Sequence, residues 1–134
     1  MQHLLFCVLW WGKMLKCLIA DDSKIMRMLL KKIIENFGFE VSEAEDGEDV
    51  LEQCIRFQPD LIISDWSLPL IDGIDVLYKI RMDRKIKQPR FMFCSYVSEA
   101  AIIRQAIDGG ADDFIMRPFD EDIIASKLAI LGML

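Results

Sequence analysis

The chain has 134 residues, of which 53% are hydrophobic and 28% are charged, and this composition is typical of one globular domain. Its net charge of −6 argues against binding of nucleic acid, or of an anionic membrane surface, through a basic face. Four scattered cysteines and a single histidine argue against a zinc site.

The first thirteen residues differ in character from the rest of the chain. Their apolar run covers only 4–11, whereas a membrane-spanning helix needs about 20 apolar residues. The run also lacks the basic flank and the small-residue cleavage site of a secretory signal. We therefore hypothesise that the biological start is Met14. Residues 1–13 are then an appendage or a mis-assigned start, and residues 14–134 form one cytoplasmic domain.

From Met14 onward, an apolar strand followed by an amphipathic helix is predicted five times. The first strand, 15–20, leads into a helix over 23–37, which Ser23 caps and Gly38 ends. The other strands are predicted at 40–44, 61–64, 90–94 and 113–116. The other helices are predicted at 47–57, from Gly73 onward, at 99–108 and at 121–131.

Five strand–helix units in series indicate an α/β fold with a parallel sheet. The continuously apolar run at 61–64 is typical of a strand buried on both faces, while the alternating pattern at 40–44 suits a sheet edge. The chain is too short for an eight-fold barrel. We expect a doubly wound, three-layer α/β/α fold with five strands in the flavodoxin-like order 2-1-3-4-5.

Polar side chains follow the strands at the edge where such folds bind ligands. Asp21 and Asp22 follow the first strand, Asp65 the third, Ser95 the fourth and Arg117 the fifth. In the order 2-1-3-4-5 these four strands are consecutive neighbours. The sheet is therefore expected to bring three carboxylates, a hydroxyl and a guanidinium to one rim.

Three carboxylates in one crevice repel one another, and a divalent cation would relieve that repulsion. With no histidine or cysteine on the rim, Mg²⁺ or Mn²⁺ is favoured over zinc. A carboxylate can act as a nucleophile toward phosphorus, while a hydroxyl and a cation can neutralise phosphoryl oxygens. The set of residues therefore suits transfer of a phosphoryl group to an aspartate.

Four stretches carry a resemblance to a known family: LIADD (18–22), LIISDWSLPLIDG (61–73), FCS (93–95) and GADDFIMRPF (110–119). Together they resemble the receiver domain of bacterial two-component response regulators, the CheY-like family. The resemblance covers the chain from Met14 onward. MFCS and FIMRPFDEDI are also similar to short forms found in alphaproteobacterial single-domain regulators.

The resemblance implies a role for each residue on the rim. Asp65 is expected to be the phosphoacceptor. Asp21 and Asp22 are expected to hold Mg²⁺ together with Asp65 and the backbone carbonyl of Ser67. Ser95 is expected to bond the phosphoryl group.

The resemblance also implies roles for residues around the rim. Phe114 matches the family's aromatic switch position, and Pro118 matches a proline that usually follows a cis peptide bond. Pro69 and Gly73 match the loop after the phosphoacceptor.

Two positions depart from the family pattern. The last strand normally ends in Lys-Pro, but here Arg117 precedes Pro118. Because arginine prefers paired contacts with carboxylates, we expect Arg117 to pair with Asp65 in the resting state and to slow its phosphorylation. The residue after Ser95 is usually small, and Tyr96 in its place is expected to screen the site from attacking water.

The function implied is a phosphorylation-dependent signalling switch rather than an enzyme. A sensor histidine kinase or a phosphotransfer protein would donate the phosphoryl group, and an unknown protein target would read it from the surface formed by 99–108, 113–116 and 121–131. No nucleic acid and no membrane insertion are expected. The main alternative is a degenerate receiver that binds a protein partner without phosphorylation. A Mg²⁺-dependent phosphatase is disfavoured because Trp66 and Ser67, rather than a second aspartate, follow Asp65.

Overall fold

The computed structural model describes residues 13–134, and these residues form alternating strands and helices. The hypothesis of a start at Met14 concerns residues 1–12, which lie outside the described residues. The strands are β1 (Lys16–Ala20), β2 (Glu40–Ala44), β3 (Leu61–Ser64), β4 (Arg90–Ser95) and β5 (Asp113–Met116). The helices are α1 (Lys24–Asn36), α2 (Gly47–Arg56), α3 (Gly73–Met82), α4 (Ala100–Asp108) and α5 (Glu121–Ile130).

The five strands form one parallel sheet in the order β2-β1-β3-β4-β5. This is the order predicted from the sequence, and β2 lies at an edge as its alternating pattern indicated. The direction of chain progression reverses between β1 and β3, so a crevice opens at their carboxyl ends. The register pairs Ala20 with Ser64, so the residues that follow these two strands emerge side by side.

The sheet is covered on both faces, so successive side chains of one strand enter different cores. On one face, Leu18 and Ala20 of β1 pack with residues of α2, α3 and α4. On the other face, Cys17 and Ile19 pack with residues of α1 and α5. All four residues of β3 are fully buried, so this strand offers a rigid support for whatever follows it.

The starts of α1, α2 and α5 follow the expected capping chemistry. The Ser23 hydroxyl accepts a hydrogen bond from the Met26 N–H at 3.3 Å, as predicted for the start of α1. Asp46 and Asp120 cap α2 and α5 in the same way. None of the helices in residues 13–134 has the length and apolar character that a bilayer crossing requires.

Candidate functional site

Three carboxylates meet at the carboxyl edge of the sheet. Asp21 and Asp22 follow β1 and Asp65 follows β3; one oxygen from each lies within 4.8 Å of the others. The Asp65 N–H donates to the Ala20 carbonyl at 2.8 Å, which ties the two strand ends together. The sequence prediction that these carboxylates share one crevice is confirmed.

The three carboxylates differ in their exposure to solvent. Asp21 is buried, Asp65 is half-buried and Asp22 is exposed. Asp21 Oδ1 accepts a hydrogen bond from the Ser23 N–H at 2.8 Å, at the residue that caps α1. The deepest carboxylate is therefore held by the start of a helix, while the other two face the opening of the crevice.

The surroundings of Asp65 change its acidity. Burial raises the pKa of the Asp65 carboxyl above its ordinary value, and the negative charge of Asp21 adds to that rise. The positive charge of Arg117 opposes it, as do the backbone N–H groups of Trp66 and Ser67. Asp65 is therefore a carboxylate whose negative charge is only partly compensated by its surroundings.

Arg117, which follows β5, reaches the acidic cluster. Its Nη2 donates a short hydrogen bond to Asp21 Oδ2, in an ion pair that is almost wholly buried. The expectation that Arg117 pairs with Asp65 is wrong: within residues 13–134 its ion-pair partner is Asp21. The physical reason is that Asp21 is the more deeply buried carboxylate, where a charge partner matters more.

Ser95 and Tyr96 lie at the end of β4, on the same rim. Ser95 is buried, and its hydroxyl oxygen accepts a hydrogen bond from the Val97 N–H at 3.3 Å. Tyr96 is 70% exposed, and its ring centroid lies 5.6 Å from Cζ of Arg117. Tyr96 therefore contacts the guanidinium, while its predicted role as a screen against water stays a prediction.

Aromatic side chains pack directly behind the acidic cluster. The Trp66 ring lies 4.9 Å from that of Phe93 and 6.5 Å from that of Phe114, measured between ring centroids. Phe114 is buried, and its ring lies 6.0 Å from Phe93. Trp66, which directly follows Asp65, thus packs close to Phe114 at the predicted switch position.

The loop after Asp65 needs a glycine where it meets α3. The Gly73 N–H donates to the Trp66 carbonyl at 3.1 Å. A Cβ at this position would lie 2.6 Å from the Asp65 carbonyl oxygen and 2.7 Å from that of Trp66. Gly73 therefore allows the start of α3 to pack against the backbone of the candidate site. Ser67 and Pro69 are exposed in the same loop.

The peptide bond between Arg117 and Pro118 is cis, as the resemblance implied. Beside it lies Cys94, and burial raises the pKa of the Cys94 thiol, against the opposing effect of the Arg117 charge. Cys94 therefore stays a neutral core residue.

The structure adds one residue that the sequence analysis missed. Arg27 of α1 is buried, and its Nη1 donates to the Asp21 carbonyl at 2.7 Å. Its Nε also pairs with Glu43 at 3.1 Å. Through its hydrogen bond to the Asp21 carbonyl, Arg27 helps to fix the backbone of the acidic pair. A signal was available, since Arg27 lies three residues before Leu30 and seven before Ile34, on the apolar stripe of α1.

The cluster has the chemistry of a site for a hard divalent cation. Its donors are carboxylate oxygens alone, which Mg²⁺ and Mn²⁺ prefer to the nitrogen and sulfur ligands typical of zinc. The residues present therefore fit the ion that the sequence predicted.

Comparisons with known proteins show which family the chain resembles. Residues 17–129 match the response regulator receiver domain family. The chain is 39% identical over 114 residues to the chemotaxis protein CheY of Bacillus subtilis strain 168, an alignment that covers 84% of this chain and 93% of that protein. It is 36% identical to CheY of Thermotoga maritima, with 84% of this chain and 93% of that protein covered.

Solved structures show the same fold. The structure of chemotaxis protein CheY4 of Vibrio cholerae, crystallised at low pH, superposes with a TM-score of 0.80. That likeness has 25% sequence identity and covers 87% of this chain and 98% of the other. The predicted fold class and the predicted resemblance are therefore both confirmed.

The raised pKa of Asp65 predicts a pH-dependent cost to stability. Between the ordinary carboxyl pKa and the raised one, the native state holds a proton that the unfolded state has lost, so stability falls as pH rises through that window. We expect Asp65→Asn, measured in chelator, to raise the free energy of unfolding at pH 7 by on the order of 1 kcal/mol.

Denaturant unfolding at a series of pH values checks this prediction. The difference between Asp65→Asn and wild type should disappear below the ordinary carboxyl pKa, where Asp65 is protonated in both states. Asp75→Asn, at an exposed aspartate in the first turn of α3, is the matched control and should show no such difference. A destabilised Asp65→Asn variant at pH 7 would contradict the account.

Proposed function

Since this chain belongs to the family of response regulator receiver domains, we propose that it accepts a phosphoryl group on Asp65 and signals by protein–protein contact. The single observation that supports Asp65 most directly is its place in the acidic cluster. Asp65 is the half-buried member, at the end of a strand whose four residues are fully buried. A nucleophile in that position is held rigidly and can still be reached by a donor.

The chemistry proposed for Asp65 is a phosphoryl transfer. A carboxylate oxygen of Asp65 forms a bond to phosphorus as the bond between phosphorus and the donor's leaving group breaks, which gives an aspartyl phosphate. The donor would be a phosphorylated histidine of a sensor kinase or of a phosphotransfer protein. The chain itself would catalyse no reaction other than the slow hydrolysis of its own phosphoryl group.

The proposed cofactor is Mg²⁺ or Mn²⁺. Asp21, Asp22 and Asp65 would hold it through their carboxylates, with the backbone carbonyl of Ser67. When bound, the ion would neutralise negative charge on the phosphoryl oxygens. This assignment is supported by the convergence of three carboxylates and by the metal preference of oxygen ligands.

The remaining rim residues are proposed to bind and report the phosphoryl group. Ser95 would donate its hydroxyl to a phosphoryl oxygen, and Arg117 would offer a guanidinium N–H. Phe114, packed against the aromatic rings beside Asp65, would respond to the movement of Ser95. A protein target would read the change at the surface of α4, β5 and α5, in the cytoplasm. No membrane or nucleic-acid partner is proposed.

A second candidate function is a receiver that binds its partner without phosphorylation. The observation that favours it is the buried ion pair between Arg117 and Asp21, which already supplies positive charge inside the acidic cluster. Phosphorylation of the isolated protein separates the two candidates.

We expect one phosphoryl group to be added when the protein is incubated with acetyl phosphate and Mg²⁺. Intact mass spectrometry should show the addition of a single group that is stable in acid and lost in base. Asp65→Asn should abolish the addition, because the amide is not a nucleophile toward phosphorus. Asp75→Asn, at an exposed aspartate outside the cluster, should be modified like wild type.

If wild type stays unmodified under conditions that modify another CheY-like receiver, the proposal fails and the phosphorylation-independent receiver is favoured. Modification that persists in Asp65→Asn would place the phosphoacceptor elsewhere.

Metal binding should be visible in the fluorescence of Trp66, which directly follows Asp65. The full chain should carry Trp10→Phe and Trp11→Phe, so that Trp66 is its only tryptophan. We expect Mg²⁺ to change the emission with a saturable titration, because the ion would bind within a few ångströms of the residue before Trp66.

The double substitution Asp21→Asn with Asp22→Asn should abolish this response. The matched control is Glu121→Gln with Asp122→Asn, an exposed acidic pair in the first turn of α5. That control should titrate like the parent. An unchanged titration after removal of Asp21 and Asp22 would rule out the metal site.

A further inference from the structure

A basic segment lies at the amino edge of the sheet, opposite the acidic cluster. Residues 79–90 contain six of the chain's sixteen lysine and arginine residues and only one acidic residue, Asp83. They form the end of α3 and the loop into β4, which begins at Arg90. The whole chain carries a net charge of −6. Positive charge is therefore concentrated at one end of an otherwise acidic molecule.

The end of α3 accounts for only part of this charge. Arg81 lies in the last turn of α3, where the helix dipole stabilises a cation. Lys87 pairs with Asp60 at 2.7 Å. Arg84 and Lys85 lie beyond the helix, are exposed, and have no ion-pair partner among residues 13–134. These two cations are therefore available to an anion from outside the chain.

Two further arginines share a single carboxylate. Nη2 of Arg81 and Nη1 of Arg90 each lie 3.3 Å from an oxygen of Asp112. The Phe91 N–H also donates to Asp112 Oδ2 at 2.8 Å, so both oxygens of this carboxylate have partners. Burial lowers the pKa of Arg81, and the positive charge of Arg90 adds to that effect, while Asp112 opposes it. One negative charge therefore serves two guanidinium groups, which leaves positive charge uncompensated.

An open groove of about 610 Å³ lies where the end of α3, the loop into β4 and the residues before β5 meet. Its charged lining residues are Arg81, Asp83, Arg84, Arg90 and Asp112. Three guanidinium groups thus share the groove with two carboxylates, and both carboxylates already accept hydrogen bonds from backbone N–H groups of the chain. The groove therefore has a net positive charge, and its guanidinium groups are of the kind that binds carboxylates through paired hydrogen bonds.

The fold holds one wall of this groove in place. The Arg81 guanidinium donates to the carbonyls of Pro89 at 2.9 Å and Gly110 at 3.0 Å. Gly110 has a φ of +109°, and a Cβ at this position would lie 2.9 Å from Cγ of Arg81. Glycine is therefore required both by the backbone and by the side chain that lies across it. Arg81 is a fixed wall, whereas Arg84 and Arg90 are exposed at the rim.

The distance between the two edges of the sheet limits what the groove can attract. The six residues of β4 span about 20 Å at roughly 3.3 Å per residue. That is about twice the Debye length of ~10 Å at 0.1 M ionic strength. A short anionic segment at the amino edge therefore meets the arginines with little repulsion from the acidic cluster. A nucleic acid or a membrane would extend over the rest of the acidic surface, so a short segment of a protein is favoured.

We propose that this groove is a docking site for an acidic segment of a partner protein, whose carboxylates Arg84 and Arg90 bind beside the fixed Arg81. The site goes beyond the proposed function, because it lies at the opposite edge of the sheet from Asp65. A partner held there leaves the acidic cluster accessible to a phosphodonor. The chain would thus be held by one protein while it exchanges a phosphoryl group with another.

Docking can be measured by fluorescence anisotropy with the full chain, in chelator. The probe is a short fluorescein-labelled peptide that alternates glutamate and glycine, and the control probe carries glutamine in place of each glutamate. The test variant combines Arg84→Gln, Lys85→Gln and Arg90→Gln. It leaves Arg81 and its contacts within the fold unchanged.

Docking in the groove predicts a local, salt-dependent effect. At about 50 mM salt the test variant should bind the glutamate peptide at least about tenfold more weakly than wild type. Binding to wild type should weaken as salt rises to about 200 mM, and the glutamine peptide should not bind.

The matched control combines Lys24→Gln, Lys32→Gln and Arg104→Gln, which removes the same number of positive charges from exposed positions of α1 and α4. It should bind the glutamate peptide within about twofold of wild type, because isolated surface charges contribute little to binding at a distance.

The groove also predicts a preference for arginine over lysine. The double variant Arg84→Lys with Arg90→Lys keeps both charges but loses the planar forks that fit a carboxylate. It should bind the glutamate peptide about threefold more weakly than wild type. The glutamine test variant should accept a phosphoryl group from acetyl phosphate like wild type, so failure of docking and failure of the proposed function are distinguishable.

Four results would overturn the proposal. Wild type that does not bind the glutamate peptide has no docking site for it. Equal weakening in the test variant and the matched control would show an effect of overall charge. A double lysine variant that matches wild type would show plain surface attraction rather than recognition in the groove. Binding of pyrophosphate that the test variant loses, without binding of the glutamate peptide, would show a site for small anions instead. If circular dichroism shows that the test variant is unfolded, the double lysine variant decides the question.

Discussion

Repulsion among three carboxylates at one edge of the sheet is the constraint on which the rest of the site depends. Asp21, Asp22 and Asp65 present oxygens within 4.8 Å of one another, in a crevice that is partly closed to water. Such a cluster needs positive charge nearby if the carboxylates are to stay ionised. In this structure Arg117 supplies that charge by contact with Asp21, and the pKa of Asp65 stays raised in spite of it.

The surrounding fold keeps the carboxylates close in spite of this repulsion. The register of β1 and β3 places their ends side by side, and the Asp65 N–H bonds to the Ala20 carbonyl. Arg27 supports the Asp21 carbonyl from α1, and Gly73 lets α3 pack against the backbone of Asp65. The free energy of core burial, spread over two faces of the sheet, thus offsets a local electrostatic cost at one edge.

Residue patterns predicted the strands and the residues on the rim because both depend on local signals, whereas the strand order was predicted from the fold class. Apolar runs of four to six residues mark the strands, and the residue after each run must lie at the carboxyl edge. The partner of Arg117 could not be predicted, since Asp21 and Asp65 follow neighbouring strands and only their relative burial decides between them. Arg27 was missed because a charged residue within an apolar helix stripe is normally expected to be exposed, and only the structure shows that it is buried with polar partners.

The metal site proposed at the acidic cluster can be observed directly in crystals grown with Mn²⁺, whose anomalous scattering locates the ion. The account predicts a Mn²⁺ peak in contact with the carboxylates of Asp21 and Asp65. The absence of a Mn²⁺ peak at the acidic cluster would contradict it.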